Sequence, residues 1–399
     1  MEKSGCIRPF LWFGLVAGIL ALLGRCHSSS ENEFQKEIDL IATHWVPDHR
    51  VGICNIKSKS PEKGTLILTG ETTSNNAKIE IINTLNKQVK VLVDSIILLP
   101  DSARNKKFMG LVTLSVVNLR KGPDHTSELV SQARLGTPVL ILKDYKSWIQ
   151  IQTPDKYISW TEKSSVTSMD RQEMTRWKNS SRVIYLESTG WLHVNPSANS
   201  GVIGDLVGGS IMVKTGELKG FVSIELPDGR KGYVDRDAVM DFKNWENTVS
   251  CSKENICDVA MSFLGLPYLW GGTSAKGVDC SGLVQSVFFM NGIILERDAS
   301  MQAQHGALVD ITHGYSRLEK GDLLCFGSKV NGTAHVTHIA IYLGNKEYIN
   351  SSGRVMVNSL DSTQIDFNRN RTHSLLEAKR ISGVENDGGI IPVKNHPWY

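Results

Sequence analysis

Three side chains near the C-terminal end of this chain have the types and spacing for nucleophilic acyl transfer: Cys280, His338 and Asn350. Cys280 lies in Gly277-Val278-Asp279-Cys280-Ser281-Gly282-Leu283-Val284, close behind Pro267-Tyr268-Leu269-Trp270-Gly271-Gly272. Leu283, Val284, Val287 and Phe288 recur on one helix face, and Asn291-Gly292 supplies a stop signal, so Cys280 is expected in the first turn of a buried helix. Unpaired N–H groups and the positive dipole end favour thiolate over thiol there. The plainer alternative is a buried structural cysteine; the glycines around Cys280 and the later histidine pattern argue against it. A thiolate needs a base and a group that orients the base. On the strand expected over 335–343, Val336, His338, Ala340 and Tyr342 share one face by the period of two. A three-residue turn over 344–346 sets Asn350 opposite Ala340, diagonal to His338 and on the same face. Its amide oxygen would then accept the Nδ1–H of His338 and leave Nε2 for Cys280, whereas a two-residue turn would put Asn350 on the other face. His335-x-x-His338 raises the thought of a metal site. Positions three apart on a strand point to opposite faces, however, and no third ligand is near, so no metal is expected.

The elements that must hold these groups are read as follows. Residues 250–392 show a helical stretch, 256–263, then the glycine loop, the Cys280 helix and strands at 321–326, 335–343 and 347–351, an α+β layout. Residues 107–170 carry short strands separated by turn signals, including Leu111 to Arg120, Val139 to Leu142, Trp148 to Gln152 and Tyr157 to Trp160, which suggests a small β-barrel. Residues 180–242 repeat the scheme: Leu192-His193-Val194, Gly208 to Val213 and Gly232-Tyr233-Val234 answer segments of the first copy about 75 residues earlier. Residues 27–106 read as a small α+β module, with helices at 33–45 and 75–85, the latter placing Ile79, Ile82 and Leu85 on one side, and strands at 64–69 and 89–93. Trp191 and Trp245 read as packing residues.

Composition bounds the rest. With 399 residues, 41% hydrophobic and 21% charged, the chain suits a folded protein of several domains. A net charge of +3 with no Lys/Arg run points away from nucleic acid. Lys3 and Arg8 precede an apolar run from Leu11 to Leu23, too short to span a bilayer and suited to the core of a signal peptide over 1–26. Seven cysteines stand at 6, 26, 54, 251, 257, 280 and 325 without a CxxC pair, so a zinc or redox motif is not expected; Cys251 and Cys257 are close enough to form a disulfide, or stay as thiols.

These residues carry a resemblance. Asp279-Cys280-Ser281-Gly282, behind Tyr268-x-Trp270-Gly271-Gly272, resembles the signature of NlpC-type cell-wall cysteine peptidases, whose catalytic domain is papain-like. His338-Ile339-Ala340-Ile341-Tyr342-Leu343-Gly344 resembles their histidine strand. Asn350 falls where the family places its third polar residue, usually a histidine. The two barrels resemble bacterial SH3-like domains. With Arg297-Asp298-Ala299-Ser300-x-Gln302, the whole is similar to the subgroup that cuts free murein peptides between γ-D-glutamate and a diamino acid and needs an unblocked N-terminal L-alanine. The fold class implied is multidomain: an α+β module, two SH3-like β-barrels and an α+β papain-like catalytic domain.

The same resemblance implies roles. Tyr268 would join the backbone N–H of Cys280 in an oxyanion hole. Asp298 would pair with the substrate ammonium. Tyr157 would wall the amine end of the cleft, Glu128 would help to hold the amine, and Asp279, Ser281, Arg297 and Trp270 would contact substrate. Other readings stand beside these: Tyr157 as barrel core, Glu128 as a solvated charge, Tyr268 as core, and Asp298 as an ordinary helix N-cap. No metal or organic cofactor is implied. Cys26 after Gly24-Arg25 resembles a lipoprotein cleavage site, which implies export to the periplasm or cell envelope and a membrane anchor through acylated Cys26. Two further functions fit the same motifs: an endopeptidase or amidase acting on intact peptidoglycan, and a wall-binding protein with an inactive site.

Overall fold

The structure, a computed structural model of the chain, describes residues 33–384 and 387–399. The expected signal segment and Cys26 lie outside the described residues. Two compact units divide the chain at Leu99 and Pro100. Among the described residues no helix is long and apolar enough to cross a membrane.

In the first unit a three-stranded sheet runs in the order Cys54–Lys59, Thr65–Thr72, Val91–Leu98, the first pair antiparallel and the second parallel. The helix Asn75–Leu85 makes the crossover that a parallel pair requires, and Ser74 caps it by accepting from the N–H of Ala77. This helix and residues 33–45 bury Ile38, Ile41, Ala77, Ile81 and Leu85 against Ile56, Leu66 and Leu68. The expected face is corrected here. Positions 77, 81 and 85 stack at i, i+4 and i+8 toward the sheet, which leaves Ile79 48% exposed.

The second unit contains two seven-stranded sheets of one topology. The first has the order Leu129–Arg134, Val116–Arg120, Ile158–Glu162, Trp148–Gln152, Pro138–Tyr145, Met109–Val112, Val166–Met169. The second has the order Val202–Val207, Thr189–His193, Lys231–Asp235, Phe221–Glu225, Ile211–Leu218, Arg182–Tyr185, Val239–Asp241, which matches the first strand for strand. The strand expected from Leu111 to Arg120 is broken at Thr113–Ser115, where the chain passes from one side of the barrel to the other. A short helix closes each copy, Arg171–Asn179 behind a capping box of Asp170 and Glu173, and Phe242–Thr248 capped by Asp241. Trp245 packs in an apolar cluster with Leu111, Met174, Trp177, Ile184, Phe242, Phe289 and Val393, which joins both barrels to the remaining domain. Trp191 is corrected: it is 57% exposed, on an outward position of the second barrel.

The remaining domain sets the helix Cys280–Met290 against a six-stranded antiparallel sheet. The sheet order is Ala307–Val309, Leu375–Arg380, Leu323–Val330, Thr333–Gly344, Glu347–Ser352, Arg354–Ser359. Leu283, Val284, Val287 and Phe288 are fully buried against Ile339, Ile341 and Ile349. Cys251 and Cys257 are free thiols.

The C-terminal segment ties this domain to the first barrel. Ile390–Pro392 pairs with Ile293–Leu295, and Tyr399 packs beside Phe242 and Phe289. His396 donates from Nε2 to the Pro154 carbonyl at 3.1 Å and accepts the N–H of Trp398 on Nδ1 at 3.3 Å. Both nitrogens are thus used by the neutral ring, and burial lowers its pKa to about 4. The unfolded imidazole, near its ordinary value of about 6.5, takes a proton that the folded one refuses. Stability contributed here is therefore constant above pH 6.5 and falls as pH drops toward 4. In urea unfolding between pH 7 and 4, His396→Gln should show a shallower loss of stability than wild type, by about 2 kcal/mol once the ring's residual exposure is allowed for.

Candidate active site

The helix Cys280–Met290 starts where the sequence places it because Asp279 caps it. The Asp279 carboxylate accepts from Gly282 N at 2.7 Å and, on its other oxygen, from Gly271 N at 2.8 Å. Gly282 must be glycine: a Cβ there would lie 1.9 Å from the Gly272 carbonyl oxygen. Gly271 has φ +78, and a Cβ would meet the Leu129 carbonyl oxygen at 2.6 Å. The loop before Cys280 is thereby pressed against the first barrel.

Arg297 completes the anchor. Its guanidinium reaches Asp279 through Nη1 at 3.1 Å and Nη2 at 2.5 Å, Ser281 Oγ at 2.9 Å and Ser131 Oγ of the first barrel at 3.1 Å. Arg297 is 1% exposed and Asp279 6% exposed. Asp279, Ser281 and Arg297, expected to contact substrate, form one buried cluster here. These side chains are buried against one another, and they position the residues that follow them in the chain.

His338 and Asn350 come together. His338 Nε2 lies 3.1 Å from Asn350 Oδ1, and the Asn350 amide donates in turn to Asn358 Oδ1 at 2.9 Å. Three details differ from expectation. The turn has two residues, Asn345 and Lys346, both with positive φ, and joins Gly344 to Glu347. A bulge at Leu343 restores the register to Ile341 opposite Ile349, which carried one step on sets Ala340 across from Asn350. A second bulge, between the Phe326 and Gly327 pairings, separates Val336 from His338: Val336 joins the core around Cys280, and Ala340 and Tyr342 join the cluster around Phe326 and Tyr348. The imidazole nitrogen that meets Asn350 is Nε2, so Nδ1 is the nitrogen left for the thiol. The Phe326 ring lies 5.8 Å from the imidazole.

Cys280 is buried at the helix start. Burial, then the Asp279 charge, raises its thiol pKa. Burial and then Arg371 lower the pKa of His338 to about 4, against the opposing bond to Asn350. Desolvation and the adjacent carboxylate thus work toward a thiol and a neutral imidazole, against the helix dipole, which favours the thiolate. Tyr268 is half-buried, and burial with Cys280 and Asp279 nearby pushes its phenol up to about 12, so it stays a donor.

Toward the first barrel, Asp298 occupies the N-cap position of the helix Ala299–Gln302 without making a capping bond. Its Oδ2 lies 3.4 Å from the Tyr157 hydroxyl. Glu128 Oε1 accepts the indole N–H of Trp270 at 3.0 Å, and Trp270 is 60% exposed. Gln132 and Arg134 of the same barrel bond the Thr273 backbone. Arg371 was missed by the sequence reading. It stands in the helix Arg369–His373, outside any spacing motif, and only the fold brings its charge near His338 and Tyr268.

A model described as the NlpC/P60 family matches residues 265–372, and one described as a bacterial SH3 domain matches residues 115–167. The chain is 31% identical over 261 residues to a dipeptidyl-peptidase 6 of Lysinibacillus sphaericus, a match covering 63% of this chain and 91% of that protein. It is 27% identical over 235 residues to a gamma-D-glutamyl-L-lysine dipeptidyl-peptidase of Bacillus cereus, covering 57% of this chain and 68% of that protein. The crystal structure of a NlpC/P60 family protein from Bacillus cereus superposes with a TM-score of 0.59 at 22% identity, over 68% of this chain and 99% of that one, a likeness of fold.

Two measurements check this geometry. The pH profile of kcat/KM should stay level from pH 7 to 5 and fall only near pH 4, where His338 takes its proton; Arg371→Ala removes a repelling cation and should move that fall to higher pH. In chemical denaturation Asp279→Ala should cost about 3–5 kcal/mol by stranding Arg297, and the added change Arg297→Met should recover much of it.

Proposed function

Because this chain belongs to the NlpC/P60 family, we propose that it is a cysteine peptidase that cuts the γ-D-glutamyl–diamino acid bond of cell-wall peptides bearing a free N-terminal L-alanine. One observation carries the substrate reading: the Tyr157 hydroxyl of the first barrel stands 3.4 Å from the Asp298 carboxylate, which supports a barrel that closes the cleft on the acyl side of the nucleophile. A closed end bounds how many residues fit upstream of the cut. A carboxylate and a phenol there suit an ammonium group.

In the proposed reaction the thiol of Cys280 gives its proton to Nδ1 of His338 as sulfur attacks the γ-carbonyl. Asn350 accepts the Nε2–H and holds the ring as it becomes charged. The Tyr268 hydroxyl and the Cys280 N–H receive the oxyanion. The imidazolium then protonates the leaving amine of the diamino acid, and the C–N bond breaks to leave a thioester on Cys280. Water, deprotonated by the same imidazole, attacks the thioester, releases L-Ala-γ-D-Glu and restores the thiol. Lysine and diaminopimelate present the same amine to this sequence of steps.

We also propose that the protein is exported and lipid-anchored through Cys26, a reading supported by Lys3 and Arg8, the apolar run Leu11 to Leu23 and the cysteine just behind it.

The test uses protein lacking residues 1–26, free L-Ala-γ-D-Glu-diaminopimelate and its N-acetyl twin, with products followed by mass spectrometry. The free peptide should release L-Ala-γ-D-Glu, the twin should react at least about a hundredfold more slowly because it leaves Asp298 without a cation, and Cys280→Ala should abolish both. Equal cleavage of the two peptides would remove the amine-recognition argument.

A further inference from the structure

Tyr157 reaches Asp298 from a tight turn, residues 153–157, between the strands Trp148–Gln152 and Ile158–Glu162. The turn is built around a buried carboxylate. Asp155 Oδ1 partners the Thr153 hydroxyl and accepts the Tyr157 N–H at 3.3 Å, local bonds of the kind an aspartate makes in many turns. Its second oxygen does something a turn does not require: Oδ2 accepts from Gln285 Nε2 at 2.8 Å. Gln285 belongs to the helix that begins at Cys280, and its amide also donates to the Leu295 carbonyl at 3.0 Å, on the strand that leads into Asp298. One amide on the nucleophile's helix therefore holds both partners of the amine end, the turn that carries Tyr157 and the strand that precedes Asp298. The turn is gripped from outside as well, by His396 on the Pro154 carbonyl and by Lys156 Nζ on the Gly388 carbonyl at 3.1 Å.

A carboxylate buried in a barrel loop is costly unless its acceptor sites are filled. Here the filling partner comes from the neighbouring domain, so satisfying Asp155 and docking Tyr157 are one event. We propose that Asp155 and Gln285 are positioning residues for substrate specificity: their bond fixes the Tyr157 hydroxyl against Asp298 and so sets the demand for a free N-terminal ammonium. This rests on the function proposed above. Without the bond the turn retains its local hydrogen bonds, but the phenol is no longer held to within an ångström of its place, a displacement large enough to weaken recognition.

The test is steady-state kinetics on the free peptide and its N-acetyl twin for wild type, Asp298→Asn, Gln285→Met, Asp155→Ala and Asp155→Asn, with active sites counted by stoichiometric alkylation of the thiol. Gln285→Met keeps the side chain's length and leaves the barrel fold untouched, so it guards against misfolding of Asp155→Ala. Gln285→Met and Asp155→Ala should raise KM for the free peptide by about tenfold with kcat nearly unchanged, and leave kcat/KM for the acetylated peptide within about twofold. Asp155→Asn, whose single amide oxygen can serve the Gln285 amide or the Tyr157 N–H but not both, should fall between Asp155→Ala and wild type. The inference is overturned if Asp298→Asn loses the preference while Gln285→Met and Asp155→Ala retain it. It is also overturned if those variants slow both peptides equally, as a loss of general stability would. If wild type itself fails to prefer the free peptide, the proposed amine recognition falls first, and this inference with it.

Discussion

Everything at the active site hangs on one buried ion pair, Asp279 with Arg297. A carboxylate and a guanidinium withdrawn from water are tolerated only with their remaining hydrogen-bonding positions filled. The fillers here are the helix start at Gly282, the loop at Gly271, Ser281, and Ser131 of the first barrel. The pair thus locks the nucleophile's helix, the loop that presents Tyr268, and the neighbouring domain into one arrangement. It also fixes the chain at Arg297, one residue before Asp298. The distance from the nucleophile to the amine end of the cleft is then a property of a rigid core rather than of a mobile domain contact.

The electrostatics of the same core decide the state of the nucleophile. Burial works first against a thiolate–imidazolium pair, and the carboxylate beside Cys280 and the cation near His338 add to it. These shifts favour a neutral pair that makes its charges during attack, with Tyr268 held protonated as a donor. Asn350 in place of the more usual histidine suits this arrangement. An amide oxygen accepts one N–H and cannot itself take up a proton, so it orients the ring without competing for the charge.

Much of this was legible from residues alone, because the signals were local. A buried helix behind a glycine loop, a strand over 335–343, and two copies of a barrel pattern follow from periodicity and turn chemistry. What was not legible depends on bulges and on packing at a distance. The two-residue turn at Asn345-Lys346 would have placed Asn350 on the wrong face but for the extra residue at Leu343, and neither bulge on the His338 strand has a sequence signature. The burial of Asp279 and Arg297 was likewise hidden, since the partners stand eighteen positions apart and meet only in the fold. Arg371 and the Asp155–Gln285 bond were invisible for the same reason.

The account stands most directly on where the acyl group goes. Wild-type protein mixed with the free tripeptide, quenched in acid within one turnover and digested, should yield a peptide containing Cys280 that carries L-Ala-γ-D-Glu as a thioester, and the adduct should disappear as turnover completes. A quenched enzyme bearing no adduct on Cys280, with product already formed, would contradict acyl transfer through this residue. An adduct made instead from the diamino acid half would contradict the orientation that Tyr157 and Asp298 impose.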